Sequence, residues 1–200
     1  PTTYEVLIGE AGIEAAMVMC ESGYQLVPSN AHLSGAEVEL IGMERRERRL
    51  RDALQGQLDK FDYILIDCPP SLNLLTVNAL VAAQSVLIPM QCEYYALEGL
   101  TALVGTIRKI REMFNPRLEI EGLLRTMFDP RNTLSNEVSA QLGEHFGDKL
   151  YRTIIPRNVR LAEAPSYGKP VISYDMQSRG AQAYLALAGE ILRREQGASA

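Results

Sequence analysis

A chain of 200 residues with 46% hydrophobic and 22% charged side chains can bury a core without disulfide or metal staples, and one globular domain is expected. The formal net charge of -5 argues against a surface that coats nucleic acid all over and leaves only a local basic patch for phosphates. No run reaches the ~18 uninterrupted apolar residues of a membrane span, the opening Pro1-Thr2-Thr3-Tyr4 lacks a signal-peptide pattern, and Cys20, Cys68 and Cys92 show no CxxC spacing, so a cytosolic chain with reduced thiols is expected.

Short apolar runs alternate with helix-length segments. YQLVPSN (24–30) opens the series as a strand, and residues 35–54 read as a helix. Within that helix, MERRERRLRD (43–52) interleaves five arginines with acids, the pattern of a solvated face laced with ion pairs, or of a partner surface. YILID (63–67) then carries a carboxylate out of the core on a strand. Asp67 sits at a strand's carboxyl end, where ligands bind in open parallel sheets; an acid there either holds a nucleotide's magnesium or caps the next helix. Pro69 and Pro70 stiffen the loop that follows.

A helix over 74–83, a strand over 85–90 (SVLIPM) and a helix over 96–114 come next. Leu97, Leu100, Leu103, Val104, Ile107 and Ile110 form the core stripe of that last helix, and Asn115-Pro116 stops it. IEGLLRTMF (120–128) reads as a strand, residues 135–146 as a helix, LYRTIIP (150–156) and KPVISYD (169–175) as strands, and residues 178–194 as a final helix. Residues 196–200 are expected to fray, leaving one domain over 1–195. Strands buried on both faces and separated by helices predict an α/β fold, a mostly parallel sheet with helices on both faces.

Two connections load polar residues where an apolar run stops: TMFDPRNTLS (126–135) and IPRNVRLAEAPSYGKP (155–170). Arg131, Arg157 and Arg160 can meet phosphates there, or stand as solvated loop arginines. No GxxxxGK[ST] phosphate loop occurs: the one Gly-Lys pair, Gly168-Lys169, is followed by Pro170 and has Glu163 in the place of the first glycine. GxGxxG, HExxH and GxSxG are also absent, and His32 and His145 are the only histidines.

The wording of several segments is more specific than their periodicity. FDYILIDCPPSLNLLTVNAL, VLIPMQCEYYALEGL, EIEGLLRTMFDPR and IIPRNVRLAEAPSYGKPVISYD, in that order, with LVPSNAHLSGAEVEL ahead of them, closely resemble the ParA/Soj chromosome- and plasmid-partitioning ATPases, the deviant Walker family that includes MinD. The resemblance implies a P-loop NTPase-like fold and an ATP-dependent switch: ATP and magnesium drive a homodimer, the dimer binds DNA without sequence preference, and a ParB-type partner stimulates hydrolysis. It implies a cytoplasmic, nucleoid-associated protein with no membrane role. By motif, Asp67 is the Walker B residue that holds magnesium through water; Thr126, Met127, Asp129, Pro156 and Arg157 lie by the adenine; Arg131 and Arg160 meet the DNA backbone.

The departure from the family pattern is the Walker A segment KGGxGK[ST] with its two lysines, and the DxDPQ segment after it, neither of which occurs in residues 1–200. Without that cradle this chain alone is expected not to hydrolyse ATP. Without the accompanying strand and helix, the sheet is expected to expose apolar surface. The alternative is a truncated paralogue that binds DNA, ParA or ParB without turnover. A MinD-like membrane cycle is disfavoured, because AYLALAGEILRREQGASA offers only Arg193 and Arg194 as basic residues.

Overall fold

The computed structural model describes residues 1–69 and 71–198, so Pro70 of the stiffened loop and residues 199 and 200 of the tail lie outside the described residues. The chain packs as two compact units, Pro1–Ser85 with Thr106–Glu119, and Val86–Gly105 with Ile120–Ala200.

In the first unit, α1 (Thr3–Ile8) begins with a capping box: the Thr2 hydroxyl accepts from the Tyr4 N–H, and the Glu5 carboxylate accepts from the Thr2 N–H at 2.6 Å. Gly9, at φ 86°, ends the helix. Val6 packs with Ile13 and Ala16 of α2 (Ile13–Ala16) and with Leu54 in a buried cluster. The run YQLVPSN contracts to β2 (Gln25–Leu26), paired antiparallel with β1 (Val18–Met19) around Gly23, and both strands are exposed. A strand buried on both faces does not form there; Pro28, two residues on, has no N–H for a ladder.

The helix expected over 35–54 is broken into α3 (Leu33–Ile41), a 3-10 turn at Arg46–Arg48 and α4 (Arg49–Leu54). Asn78 of α5 (Leu74–Ala82) explains the break. Fully buried, it accepts from the Leu50 N–H at 3.1 Å and donates to the Arg46 carbonyl at 2.8 Å and the Leu74 carbonyl at 3.0 Å. Satisfying that buried amide outweighs one more turn of helix. Three of the five arginines nearby are paired or bonded to backbone: Arg45 with Asp52, Arg46 with Glu47, and Arg49 with the Leu7 carbonyl. At the far end of α5, the Asn115 amide donates to the carbonyls of Leu80 and Ala83 at 3.0 and 2.7 Å, closing the helix.

YILID is the largest departure from expectation. Residues 63–69 lie in no strand or helix, and neither sheet includes them. Leu65 is 92% exposed, while Ile66 still packs against the Val6 cluster. A strand buried on both faces needs a hydrogen-bonded neighbour and cover on each face, and no strand among the described residues supplies the ladder.

The second unit holds a three-stranded sheet in the order β3 (Ser85–Gln91), β4 (Glu119–Phe128), β5 (Leu150–Pro156). Strands β4 and β5 run parallel, which places the chain in the α/β class as expected. α6 (Tyr94–Met113) links β3 to β4. α7 (Thr133–Phe146) starts at Asn132, whose side chain accepts from the N–H groups of Leu134 and Ser135, three residues before the Ser135 start read from sequence. Gly122 on β4 admits the buried Tyr151 ring: a Cβ there would lie 2.6 Å from the ring and 2.7 Å from the Lys149 carbonyl.

α10 (Arg179–Ala198) covers β5, burying Leu187 against Leu124, Tyr151 and Ile155. The register explains its grip. Leu123 pairs with Leu150 and Arg125 with Ile154, so β5 bulges between these pairs. The Glu190 carboxylate of α10 accepts the two consecutive N–H groups at that bulge, Arg152 and Thr153, each at 2.8 Å. Arg194 completes the clamp, donating to Glu190 at 2.9 Å and to the Leu150 carbonyl at 3.0 Å with its guanidinium 4.1 Å over Tyr151. KPVISYD, expected as a strand, is instead the short helix α9 (Val171–Tyr174), begun by the Pro170 carbonyl, which accepts from Ser173 and Tyr174. Edge strand β5 has two of its N–H groups taken by Glu190, so they are closed to a further strand. α10 carries residues 196–198 as helix.

Burial raises the Glu190 carboxyl, but hydrogen bonds from Thr153, Arg152 and Arg194 outweigh it and lower the group from 4.5 to about 2. A depressed folded-state value means that its stabilisation is complete above pH 4.5 and is lost as pH falls through about 2. Glu190→Gln, which turns one acceptor into a donor facing an N–H, is expected to cost about 2 kcal/mol at neutral pH. Urea unfolding of both forms checks this, and the gap between them should close as pH falls from 4.5 toward 2.

Candidate functional site

In the second unit, β4 and β5 end side by side, with Phe128 opposite Pro156. The Arg157 N–H donates to the Phe128 carbonyl at 3.3 Å and holds the two exits together. Just beyond is a cleft of about 190 Å³ lined by Thr126, Met127, Ile155, Pro156, Asn158, Leu161, Ala162 and Tyr184. It lies at the carboxyl ends of parallel strands, where α/β sheets bind ligands. Asn158 caps α8 (Val159–Glu163) by accepting from the Arg160 N–H at 3.0 Å, which leaves its NH₂ group as a donor at the cleft. Leu161 seats closely because residue 180 is glycine: a Cβ there would lie 2.5 Å from the Leu161 Cγ. Met127 holds a left-handed φ of 52°, unusual for a residue with a long side chain.

The structure therefore brings Thr126, Met127 and Pro156 to one cleft. Asp129 and Arg157 flank it without lining it. Asp129 is engaged with Arg131 instead: Nε donates to Oδ1 at 2.9 Å, Nη2 to Oδ2 at 2.7 Å, and the Arg131 backbone N–H to Oδ1 at 3.0 Å. The Arg131 side chain and then its N–H hold the Asp129 carboxyl down at about 2. Arg160 is paired twice, with Glu163 at 2.8 Å and Asp175 at 3.2 Å, and the Tyr174 hydroxyl also donates to Glu163. Arg157 is exposed and has no ion pair among the described residues.

Asp67 belongs to the first unit, exposed at the end of the irregular 63–67 run, where the Cys68 thiol is directed to the Ile66 carbonyl at 3.6 Å. No group of three or more His, Cys, Asp or Glu side chains that could hold a metal occurs among the described residues. A magnesium brought by a nucleotide needs less, one carboxylate plus waters and phosphates, and Asp67 is a single exposed carboxylate. No helix among the described residues is long and apolar enough to cross a membrane.

Sequence reasoning missed Ile155, Asn158, Leu161, Ala162 and Tyr184 as cleft residues. Asn158 could have been found, since an Asn directly after a strand and before a short apolar helix is a cap signal. Tyr184 could not, because on sequence it belongs to the apolar stripe of the last helix.

The chain has close relatives. The family model described as an AAA domain matches residues 1–120. The chromosome partitioning protein ParA of Caulobacter vibrioides is 54% identical over 197 residues, 97% of this chain and 74% of that protein. The sporulation initiation inhibitor protein Soj of Bacillus subtilis is 50% identical over 189 residues, 94% of this chain and 75% of that protein. Among solved structures, cobyrinic acid a,c-diamide synthase of Mycobacterium smegmatis with bound ADP and magnesium is similar at a TM-score of 0.83 and 34% identity, over 98% of this chain and 73% of that one. The cell division ATPase MinD of Pyrococcus furiosus follows at 0.77 and 25%, over 96% and 76%. Identity at this level across nearly the whole chain, together with an α/β fold shared with P-loop NTPase-like neighbours, shows that the chain belongs to the ParA/Soj family of partitioning ATPases.

Proposed function

We propose that this chain forms part of an ATP-dependent partitioning switch: it takes the adenine of ATP in the cleft beyond β4 and β5, dimerises on the nucleotide, and binds DNA without sequence preference until a ParB-type partner stimulates hydrolysis. The carrying observation is the convergence of Thr126, Met127 and Pro156, from two distant segments, on one cleft. An apolar wall with a few convergent donors suits a purine base. Bound magnesium-ATP supplies the phosphoanhydride bond whose hydrolysis resets the switch. Asp67 is the residue for the magnesium. Residues 1–200 contain no GK[ST] loop, so they hold the base better than the phosphates, and turnover needs a cradle that they do not carry. Cytoplasmic residence on the nucleoid follows from nonspecific DNA binding, and no membrane role is proposed. DNA or partner binding without turnover is the second reading, favoured by the same missing loop.

Three outcomes are expected. Phosphate release by this chain with magnesium-ATP stays at the no-protein rate. Tyr184→Ala, by removing one wall of the cleft, weakens binding of a fluorescent adenine nucleotide about tenfold, measured by anisotropy; unchanged affinity places the base elsewhere. Arg131→Ala and Arg160→Ala each weaken binding to duplexes of unrelated sequence alike and reduce the salt slope by about one, read by titrations at several salt concentrations. A change confined to one sequence contradicts the nonspecific reading.

A further inference from the structure

We propose that Asp129 is an internal competitor for the DNA phosphates, occupying the fork of Arg131 and holding DNA affinity below what the arginine could deliver. The inference rests on the reading of Arg131 as a DNA contact and adds its regulation.

The Arg131 side chain is 88% exposed, as a contact to a large ligand requires, yet its fork is filled. Nε and Nη2, the pair that grips a phosphate through two parallel bonds, both go to the two oxygens of Asp129, at 2.9 and 2.7 Å. Exposed ion pairs between two flexible side chains are usually weak. This one is anchored by the chain itself, because the Arg131 N–H binds the same carboxylate at 3.0 Å and the two residues are separated only by Pro130. The turn is fixed further: the Asn132 N–H donates to the Asp129 carbonyl at 3.1 Å, and the Asn136 side chain donates to the Pro130 carbonyl at 2.8 Å. The low Asp129 carboxyl value of about 2 keeps it ionised across the physiological range.

An arginine already paired with a carboxylate must break that pair to meet a phosphate, so it adds less to affinity and salt dependence than a free arginine would. Arg160, the other arginine assigned to DNA, is neutralised in the same way by Glu163 and Asp175. Both contacts therefore exchange an internal carboxylate for a phosphate when DNA binds. Such exchange keeps binding weak and reversible, which suits a switch that must let go.

Asp129→Asn keeps the shape of the turn and removes the charge. Titrating a fluorescent duplex with the full chain should show Asp129→Asn binding several times more tightly than the unmodified chain at low salt, with a salt slope steeper by about one, and Arg131→Ala binding more weakly. If Arg131→Ala weakens binding while Asp129→Asn leaves it unchanged or weaker, the competitor falls and the DNA reading stands. If Arg131→Ala has no effect, or no form binds DNA, both fall. A second measurement uses the unmodified chain alone: an arginine-selective dicarbonyl, followed by mass spectrometry, should modify Arg131 more slowly than the exposed, unpaired Arg157, and equal or faster modification of Arg131 overturns the clamp.

Discussion

One carboxylate organises the second unit. Glu190 reaches from α10 to the bulge of β5 and takes two consecutive N–H groups that no strand accepts. Buried edges need partners, and a bulge needs them most, because the ladder is interrupted there. With Glu190 and Arg194 in place, the Tyr151 ring is pinned under α10 and against Gly122, and β5 leaves the sheet at Pro156. Everything at the cleft follows from that exit: the Arg157 N–H meets the Phe128 carbonyl, Asn158 caps α8, and α8 brings Leu161 and Ala162 to the wall.

The first unit depends on an amide in the same way. Asn78 ties the turn before α4 to α5, and Asn115 closes the end of α5. Both are buried amides bonded to backbone, the kind of contact that fixes one arrangement of helices out of the several that apolar packing alone would allow.

These two devices mark the limit of what the sequence shows. The strands β3, β4 and β5 and the helices α5, α6, α7 and α10 were legible to within a few residues, because each carries its own periodicity and stop signals. YQLVPSN, YILID and KPVISYD were misread for one shared reason. Their composition favours strands, but a strand exists only with a neighbour to pair with, and pairing is a long-range fact. At the site, Thr126, Met127 and Pro156 were named from family wording, and all three line one cleft. Tyr184 was not legible, since one face of a helix can serve a core and a cleft with the same residue types. The partners of Arg131 and Arg160 were all present in the quoted motifs, but which carboxylate each would choose is set by turn geometry rather than by spacing.

The left-handed backbone of Met127 has one more result. Along a regular strand, successive side chains point to opposite faces, so two adjacent residues at the end of β4 should serve different sides of the sheet. At φ 52° the alternation is interrupted, and Thr126 and Met127 both line the cleft. The kink thus gives a single strand end two neighbouring residues on one cleft, and a β-branched residue at 127 would tolerate that φ poorly.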